Sequence, residues 1–224
     1  MTSPNPFYLI GKPIADKYGR FKGRIIALEF DHGGVVKNIV YENGGVILSR
    51  PIDSVVIKND GVIIYSKEMI NAQKLFDRLS FLKLQVDALG KLKELSGVNN
   101  VYRELYENVS REFENISREF DSVRRGLDKR IDALVKRKNR LEELHYWLGV
   151  AREANAIDNK VYLDSYEAID REIVKLNNEL EELEYAKYTL ENKLSEIEGL
   201  LKNYSVEEAQ DVYVSDGGDE DVEA

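Results

Sequence analysis

The chain has 224 residues, of which 33% are charged and 43% hydrophobic, with a net charge of −9 and no cysteine. The absence of cysteine excludes disulfides, thiolate metal ligands and thiol catalysis. No apolar run approaches the roughly 18 residues of a membrane-spanning helix, and residues 1–10 lack the basic start of a signal peptide, so we expect a cytoplasmic protein that meets membranes only peripherally.

Residues 7–65 contain several short runs rich in Val, Ile and Tyr, separated by turn sequences such as DHGG, ENGG and KNDG. Many short strands at this spacing, with Gly or Asn at the turns, predict a small antiparallel β-barrel or sandwich over residues 1–66. About sixty residues provide little core, so we expect this domain to pack against a neighbour.

A connecting helix is predicted over residues 67–98, where apolar side chains recur at helical spacing from Met69 to Leu92. Gly97 is placed to end this helix, because glycine adopts the left-handed conformation of a helix C-cap without steric cost.

Residues 99–204 contain two segments whose apolar side chains alternate at spacings of three and four, which is typical of a coiled coil. The first runs from Tyr102 to Leu127, after which one extra residue interrupts the register and predicts a local unwinding of the supercoil. The second runs from Tyr166 to Tyr204, with Lys187 as its polar exception. Its predicted self-association residues are Ile173, Leu176, Leu180, Leu183, Leu190, Leu194 and Ile197.

The link between the two segments leaves two arrangements open. Asp164 followed by Glu167 forms a capping-box pattern that would open the second helix. The chain either reverses in this link to form a hairpin or continues with the helices roughly in line. A helix of about fifty residues is about 75 Å long, and the small barrel cannot cover so long an apolar seam, so we favour a seam completed by a second copy over an intramolecular hairpin.

A basic cluster lies between residues 124 and 140, with only Asp128 and Asp132 among its bases. The bases are Arg124, Arg125, Lys129, Arg130, Lys136, Arg137, Lys138 and Arg140. One interpretation is a solvated coiled-coil face. The other is a contact with anionic lipid or nucleic acid, because a basic helix face attracts phosphates without sequence specificity.

The tail over residues 205–224 combines eight acids and no base with the strand-forming sequence Val212-Tyr213-Val214. A lone strand cannot fold, because its backbone groups are unpaired and its apolar surface is too small to offset the ordering entropy. We expect the tail to be disordered in the free protein and to add a strand to a partner's sheet edge, with the acids steering it to a basic partner. A solubilising acidic tail is the alternative interpretation.

No catalytic or metal-binding constellation is predicted. His32 lies in the turn sequence DHGG, and His145 lies beside a heptad position where a packed or snorkelling histidine is expected. The glycine pairs at 33–34 and 44–45 precede strands rather than helices, so no phosphate loop is predicted. We expect no enzymatic activity, no cofactor and no small-molecule substrate.

The opening of the β region resembles the PRC-barrel family, in which a pattern of apolar, glycine and basic residues leads into a small β-barrel. Here that pattern maps to Ile10, Gly11, Lys12, Ile14, Asp16, Gly19 and Gly23. The later Pro51-Ile52-Asp53 matches a turn of the family loosely. The expected fold class is therefore α+β: an antiparallel PRC-barrel-like domain, long coiled-coil helices and an acidic tail.

This domain order resembles the CdvA family, the archaeal cell-division A proteins of the ESCRT-like Cdv machinery, over essentially the whole chain. The resemblance implies a non-enzymatic, filament-forming scaffold that marks the division site at mid-cell and associates with membrane and DNA. It also implies recruitment of the ESCRT-III homologue CdvB, whose winged-helix domain receives the C-terminal tail as an added strand. The alternative functions are a structural DNA-binding protein and an accessory protein of RNA processing or electron transport.

Overall fold

A computed structural model of the chain describes residues 5–205, apart from the side chain of Ser96. The protein is α+β, with a six-stranded sheet followed by three long helices. The described residues divide into two compact units, which we call unit 1 (residues 5–72 and 123–187) and unit 2 (residues 73–122 and 188–205). The predicted tail strand at 212–214 lies outside the described residues.

The strands of unit 1 form in the regions that the Val- and Ile-rich runs predict. They are β1 (Pro13–Asp16), β2 (Lys22–Phe30), β3 (Val36–Asn43), β4 (Val46–Pro51), β5 (Val55–Ile57) and β6 (Val62–Ile64). Short 3-10 helices occupy Pro6–Leu9 and Ile52–Ser54, so the first predicted run begins in a helical turn rather than a strand.

The sheet has the strand order β4-β3-β2-β1-β6-β5. Four of its pairings are antiparallel, as predicted, but β1 and β6 are parallel. The prediction of a wholly antiparallel domain is wrong at this pairing, because a hairpin imposes an antiparallel arrangement only on the strands that it joins. Within the described residues, β4 and β5 are the two edges of a curled sheet that does not close into a barrel.

The core of the sheet consists of side chains that alternate along the strands and meet on one face, together with Leu9 of the first 3-10 helix. Its buried members are Leu9, Ile14, Ile25, Ile39, Tyr41, Val62 and Ile64. Phe21 packs against this cluster with its ring stacked on that of Tyr41, the two centroids lying 5.8 Å apart.

The helices are α1 (Lys67–Ser96), α2 (Asn100–Glu153) and α3 (Asn159–Asn203). Gly97 adopts φ +64° and donates its N–H to the carbonyl of Lys93 over 3.0 Å, which confirms the predicted end of α1. The predicted capping residues Asp164 and Glu167 are wrong, because both lie inside α3. Asp158 caps this helix instead, and its Oδ1 accepts a hydrogen bond from the N–H of Val161 over 2.9 Å.

Within each unit, α2 and α3 run antiparallel. In unit 1, Arg137 and Arg130 of α2 pair with Glu172 and Glu179 of α3, so residue numbers fall along one helix as they rise along the other. In unit 2, the hydroxyls of Tyr106 and Tyr102 donate to the carbonyls of Leu201 and Tyr204 over 3.3 and 2.6 Å. The chain therefore adopts the hairpin alternative.

The hairpin buries much of the second heptad seam within one chain. Leu176, Leu183 and Ile197 have no exposed surface, and Lys187 is accommodated by an ion pair of 2.7 Å with Asp128. The other predicted self-association residues are buried (Leu180, Leu190) or half-buried (Ile173, Leu194). A role of these residues between copies stays a prediction.

Candidate interaction surfaces

The turn between β1 and β2 presents a set of polar side chains to the helices of unit 1. Asp16 organises this turn, because its Oδ1 accepts hydrogen bonds from the backbone N–H groups of Tyr18 and Arg20 over 3.0 and 3.2 Å. Gly19 adopts φ +71°, a left-handed conformation that glycine reaches without strain. The same carboxylate also holds the Arg20 guanidinium over 3.1 Å, which aims the rest of that side chain at α3.

Glu179 of α3 is the buried partner of this turn. Its side chain has 0% exposure, and its Oε2 lies 2.5 Å from Nη1 of Arg20. Its Oε1 accepts two hydrogen bonds from Arg130 of α2, from Nε over 2.9 Å and from Nη2 over 2.8 Å. One carboxylate therefore ties the sheet to both helices of the hairpin, and two guanidinium groups compensate for its desolvation.

A second carboxylate, one helical turn further along α3, reinforces this contact. Glu182 Oε2 accepts a hydrogen bond from the Tyr18 hydroxyl over 2.8 Å and contacts the Lys17 ammonium. Burial, followed by the hydrogen bond to Glu182, raises the pKa of the Tyr18 phenol well above its usual range. Burial alone would lower the pKa of Arg20, but its bonds to Asp16 and Glu179 outweigh burial and raise it. Both shifts favour the neutral phenol of Tyr18 and the charged guanidinium of Arg20.

Within the predicted basic cluster, the structure distinguishes bases that form ion pairs from an exposed row, and Arg140 belongs to both. Arg130 and Arg137 pair with carboxylates of α3, and Lys138 and Arg140 pair with Glu142 and Glu143 one turn along α2, with distances from 2.6 to 3.8 Å. These bases of the cluster are thus paired with glutamates that lie outside residues 124–140, a range whose own acids are two aspartates. Part of it serves the hairpin rather than an external anion.

The exposed row lies on α2 within unit 1. Arg125, Lys129, Lys136 and Arg140 are all exposed and are spaced by four, seven and four residues, which places them on one side of the helix. The row is about 22 Å long at 1.5 Å per residue. Asp132 lies on the same face, between Lys129 and Lys136, and Arg140 is partly neutralised by Glu143, so the row is moderately basic. We call these four residues the basic row.

Unit 2 presents an open groove between α1 and α2. Arg78 spans it at one side by pairing with Glu112, over 2.7 Å, and with Glu119. Its apolar lining includes Phe81, which is 63% exposed, and Leu105. The groove therefore combines exposed apolar side chains with an ion pair between Arg78 and Glu112.

The histidines occupy ordinary positions. His32 is exposed in the turn before β3, and the His145 ring packs against Tyr166 with centroids 3.9 Å apart, as the sequence predicts. Within residues 5–205, no cluster of His, Asp and Glu side chains is arranged to hold a metal ion. In the same part of the chain, no helix is long and apolar enough to cross a membrane.

Sequence reasoning missed the pairing of Arg20 with Glu179. The local signal is that a charged residue, Glu179, lies between the apolar heptad positions 176 and 180, and charged residues at such positions are usually solvated.

Comparisons with protein-family models, with curated proteins and with solved structures found no match to this chain.

Proposed function

We propose that the protein is a non-enzymatic, filament-forming scaffold of cell division, in which the curled sheet acts as a PRC-barrel-like module and the helical hairpins contribute coiled-coil contacts as copies assemble. The support is the order of its parts, a small β module, long helices and an acidic tail with a strand sequence, together with the resemblance that this order carries. The site of action would be the division site at mid-cell, at the inner side of the membrane.

The observation that carries this proposal is the way unit 1 is held together. The buried carboxylate of Glu179 binds Arg20 of the sheet and Arg130 of the hairpin. Because removing either partner would leave a desolvated charge, the β module and the hairpin are held in one geometry. A filament needs such fixed geometry, since small angular errors accumulate from one subunit to the next.

Contact with an anionic surface is assigned to the basic row. Its four side chains point to solvent from one side of α2, where they can meet lipid headgroups without disturbing the hairpin. Binding would be weak and steeply dependent on salt, because it is driven by the release of counterions. The same row favours DNA as a second candidate ligand, which would make the protein a structural DNA-binding protein.

Recruitment of a partner is assigned to the acidic tail, which follows the described residues. Val212 and Val214 would face one way and Tyr213 the other on the sheet edge of a CdvB-like winged-helix domain. A segment this short is expected to bind with a Kd on the order of micromolar, and many tails along one filament would raise the apparent affinity.

The test is a pull-down with the isolated winged-helix domain of an ESCRT-III homologue and the full chain. We expect Tyr213→Asp to abolish capture while filaments, viewed by electron microscopy, remain. Tyr188→Asp, at a tyrosine that is 63% exposed on α3, is the matched control and should leave capture intact. If a chain lacking residues 206–224 still captures the domain, the tail does not recruit the partner.

A further inference from the structure

The edge strand β4 is the least covered strand of the sheet. All six of its residues are exposed, and Val46, Ile47 and Leu48 retain 56%, 66% and 39% of their surface. The adjacent strand β3 is quite different, since Ile39 and Tyr41 are 0% and 1% exposed. An edge strand with apolar side chains exposed on both faces is a site for pairing with another strand.

The apolar face of the sheet core continues onto β4 without a cover. Leu48 lies opposite the buried Tyr41, and residues directly opposite in an antiparallel pair project from the same face. Val46 and Leu48 therefore extend the core side of the sheet into solvent. Ile47, which lies opposite Glu42, exposes its apolar side chain on the other face of the sheet.

The turn that precedes β4 determines which of its residues direct their backbone N–H and C=O groups away from β3. Gly44 and Gly45 have φ +59° and +83°, the signature of a two-residue type I′ hairpin. Such a turn closes with a hydrogen bond between its first and fourth residues, here Asn43 and Val46. Hydrogen-bonded and non-bonded residues alternate along an antiparallel pair, so the N–H and C=O groups of Ile47 and Ser49 point away from β3.

The strand has a defined end at Pro51. Proline has no N–H, and the Pro51 carbonyl accepts a hydrogen bond from the Ser54 hydroxyl over 2.6 Å. Pairing at this edge is therefore restricted to the two outward-facing residues, Ile47 and Ser49.

We propose that β4 pairs with β4 of a second copy, antiparallel and about a two-fold axis at Leu48. This inference rests on the proposed self-assembly and names one of its interfaces. In this register, the outward N–H and C=O groups of Ile47 on each copy bond to Ser49 of the other. Centring the pair on Ile47 would place Ser49 against the turn at Gly45, and centring it on Ser49 would place Ile47 against Pro51, which cannot donate. The Leu48 register uses every outward group on both strands.

Side chains and charges fit the same register. Leu48 meets its own counterpart in the second copy as a close non-bonded pair, and Val46 lies opposite Arg50, whose aliphatic stem can cover it. The two Arg50 side chains are about 13 Å apart along the strands, which is beyond the screening length of about 8 Å in physiological salt. The edge is thus complementary to itself, and the paired sheets share a continuous apolar face.

A single cysteine tests the register directly, because the chain has no cysteine of its own. Leu48→Cys would place two thiols within disulfide distance across the axis. We expect full-length Leu48→Cys to form covalent dimers under mild oxidation at least roughly tenfold faster than Val35→Cys, an equally simple control at a 64% exposed position of the same unit. Equal rates would overturn the proposal.

A charge variant separates this interface from other routes of assembly. Leu48→Lys should raise the protein concentration at which assembly begins by roughly tenfold or more, because like charges oppose each other directly across the strands. Circular dichroism would verify folding, and Val35→Lys is the matched control.

The outcomes distinguish this interface from the scaffold function. If wild type assembles and Leu48→Lys assembles equally well, this interface is wrong while the scaffold function stands. If wild type does not assemble at all, both fail. If deletion of residues 206–224 removes the Leu48→Cys cross-link, the edge depends on the tail and not on a second β4.

Discussion

The carboxylate of Glu179, fully buried on α3, accepts two hydrogen bonds from the guanidinium of Arg130 on α2, over 2.9 and 2.8 Å. Its other oxygen meets Arg20 from the turn between β1 and β2. Two helices and the turn of a sheet in unit 1 therefore share one buried charge.

Replacing Glu179 with alanine should lower the free energy of unfolding by about 3 kcal/mol, the lower end of the range for breaking a buried ion pair. The lower end applies because the Arg130 side chain keeps 33% exposure and can be hydrated. Glu184→Ala, at an exposed position of the same helix, should change stability by less than about 0.5 kcal/mol. Urea denaturation of both variants measures the difference, and equal midpoints would show that the buried pair contributes nothing net.

Tyr18 predicts a loss of stability at alkaline pH. The pKa of its phenol is higher in the folded protein than in the unfolded chain, where it is about 10. The contribution of Tyr18 to the free energy of unfolding is therefore fully present below about pH 10 and is lost as the pH rises above that value. Because the unfolded chain then binds fewer protons, stability should fall by at most about 1.4 kcal/mol per pH unit from this group. Denaturation of wild type and Tyr18→Phe between pH 8 and about 11.5 isolates it, with Tyr188→Phe as the exposed control. Parallel pH profiles for wild type and Tyr18→Phe would contradict the assignment.

Two helical glycines should respond in opposite ways to alanine. At Gly90 a new Cβ would lie 2.6 Å from Cζ of Tyr204, whereas at Gly149 it would meet nothing within 4 Å. Gly149→Ala should stabilise α2 by up to about 1 kcal/mol through helix propensity, while Gly90→Ala should destabilise unit 2 by about 1–2 kcal/mol through overpacking. Thermal unfolding tests both, and Tyr204→Leu should rescue Gly90→Ala. A stabilising Gly90→Ala would show that Tyr204 moves aside freely.

The basic row makes a prediction that distinguishes it from the rest of the basic cluster. Reversing Arg125, Lys129 and Lys136 to glutamate should weaken pelleting with anionic liposomes or DNA by roughly tenfold and flatten its dependence on salt. Reversing Lys138 alone, which pairs with Glu142 over 3.8 Å, should have a smaller effect. Pelleting of each variant with liposomes and with DNA separates the two ligands. Undiminished pelleting of the triple variant at low salt would favour a solvated face.

Local features of this fold could be predicted from sequence and long-range ones could not. Gly97 marks the end of α1 because a C-cap requires only one residue of suitable conformation. The capping pattern at Asp164 misled because Asp158 satisfies the same requirement at the actual start of α3. The parallel pairing of β1 with β6, and the contact of Lys17 with Glu182 across 165 positions, depend on packing that no local pattern encodes.

The candidate surfaces divide in the same way. The basic cluster was visible as composition, but only the structure separates the residues that pair within the hairpin from Arg125, Lys129 and Lys136 of the basic row. The heptad seam was visible as periodicity, yet periodicity does not tell whether Leu176 and Leu183 face a helix of the same chain or of another. Exposure of β4 was not visible at all, because its sequence, VILSRP, is that of an ordinary strand.

Assembly of copies is the central claim, and sedimentation velocity of the full-length chain tests it most directly. Measured over a wide range of protein concentration at physiological salt, the sedimentation coefficient should rise with concentration, and electron microscopy of the fastest fraction should show filaments. A single species with the mass of a 25.7 kDa monomer at every concentration would contradict the scaffold function.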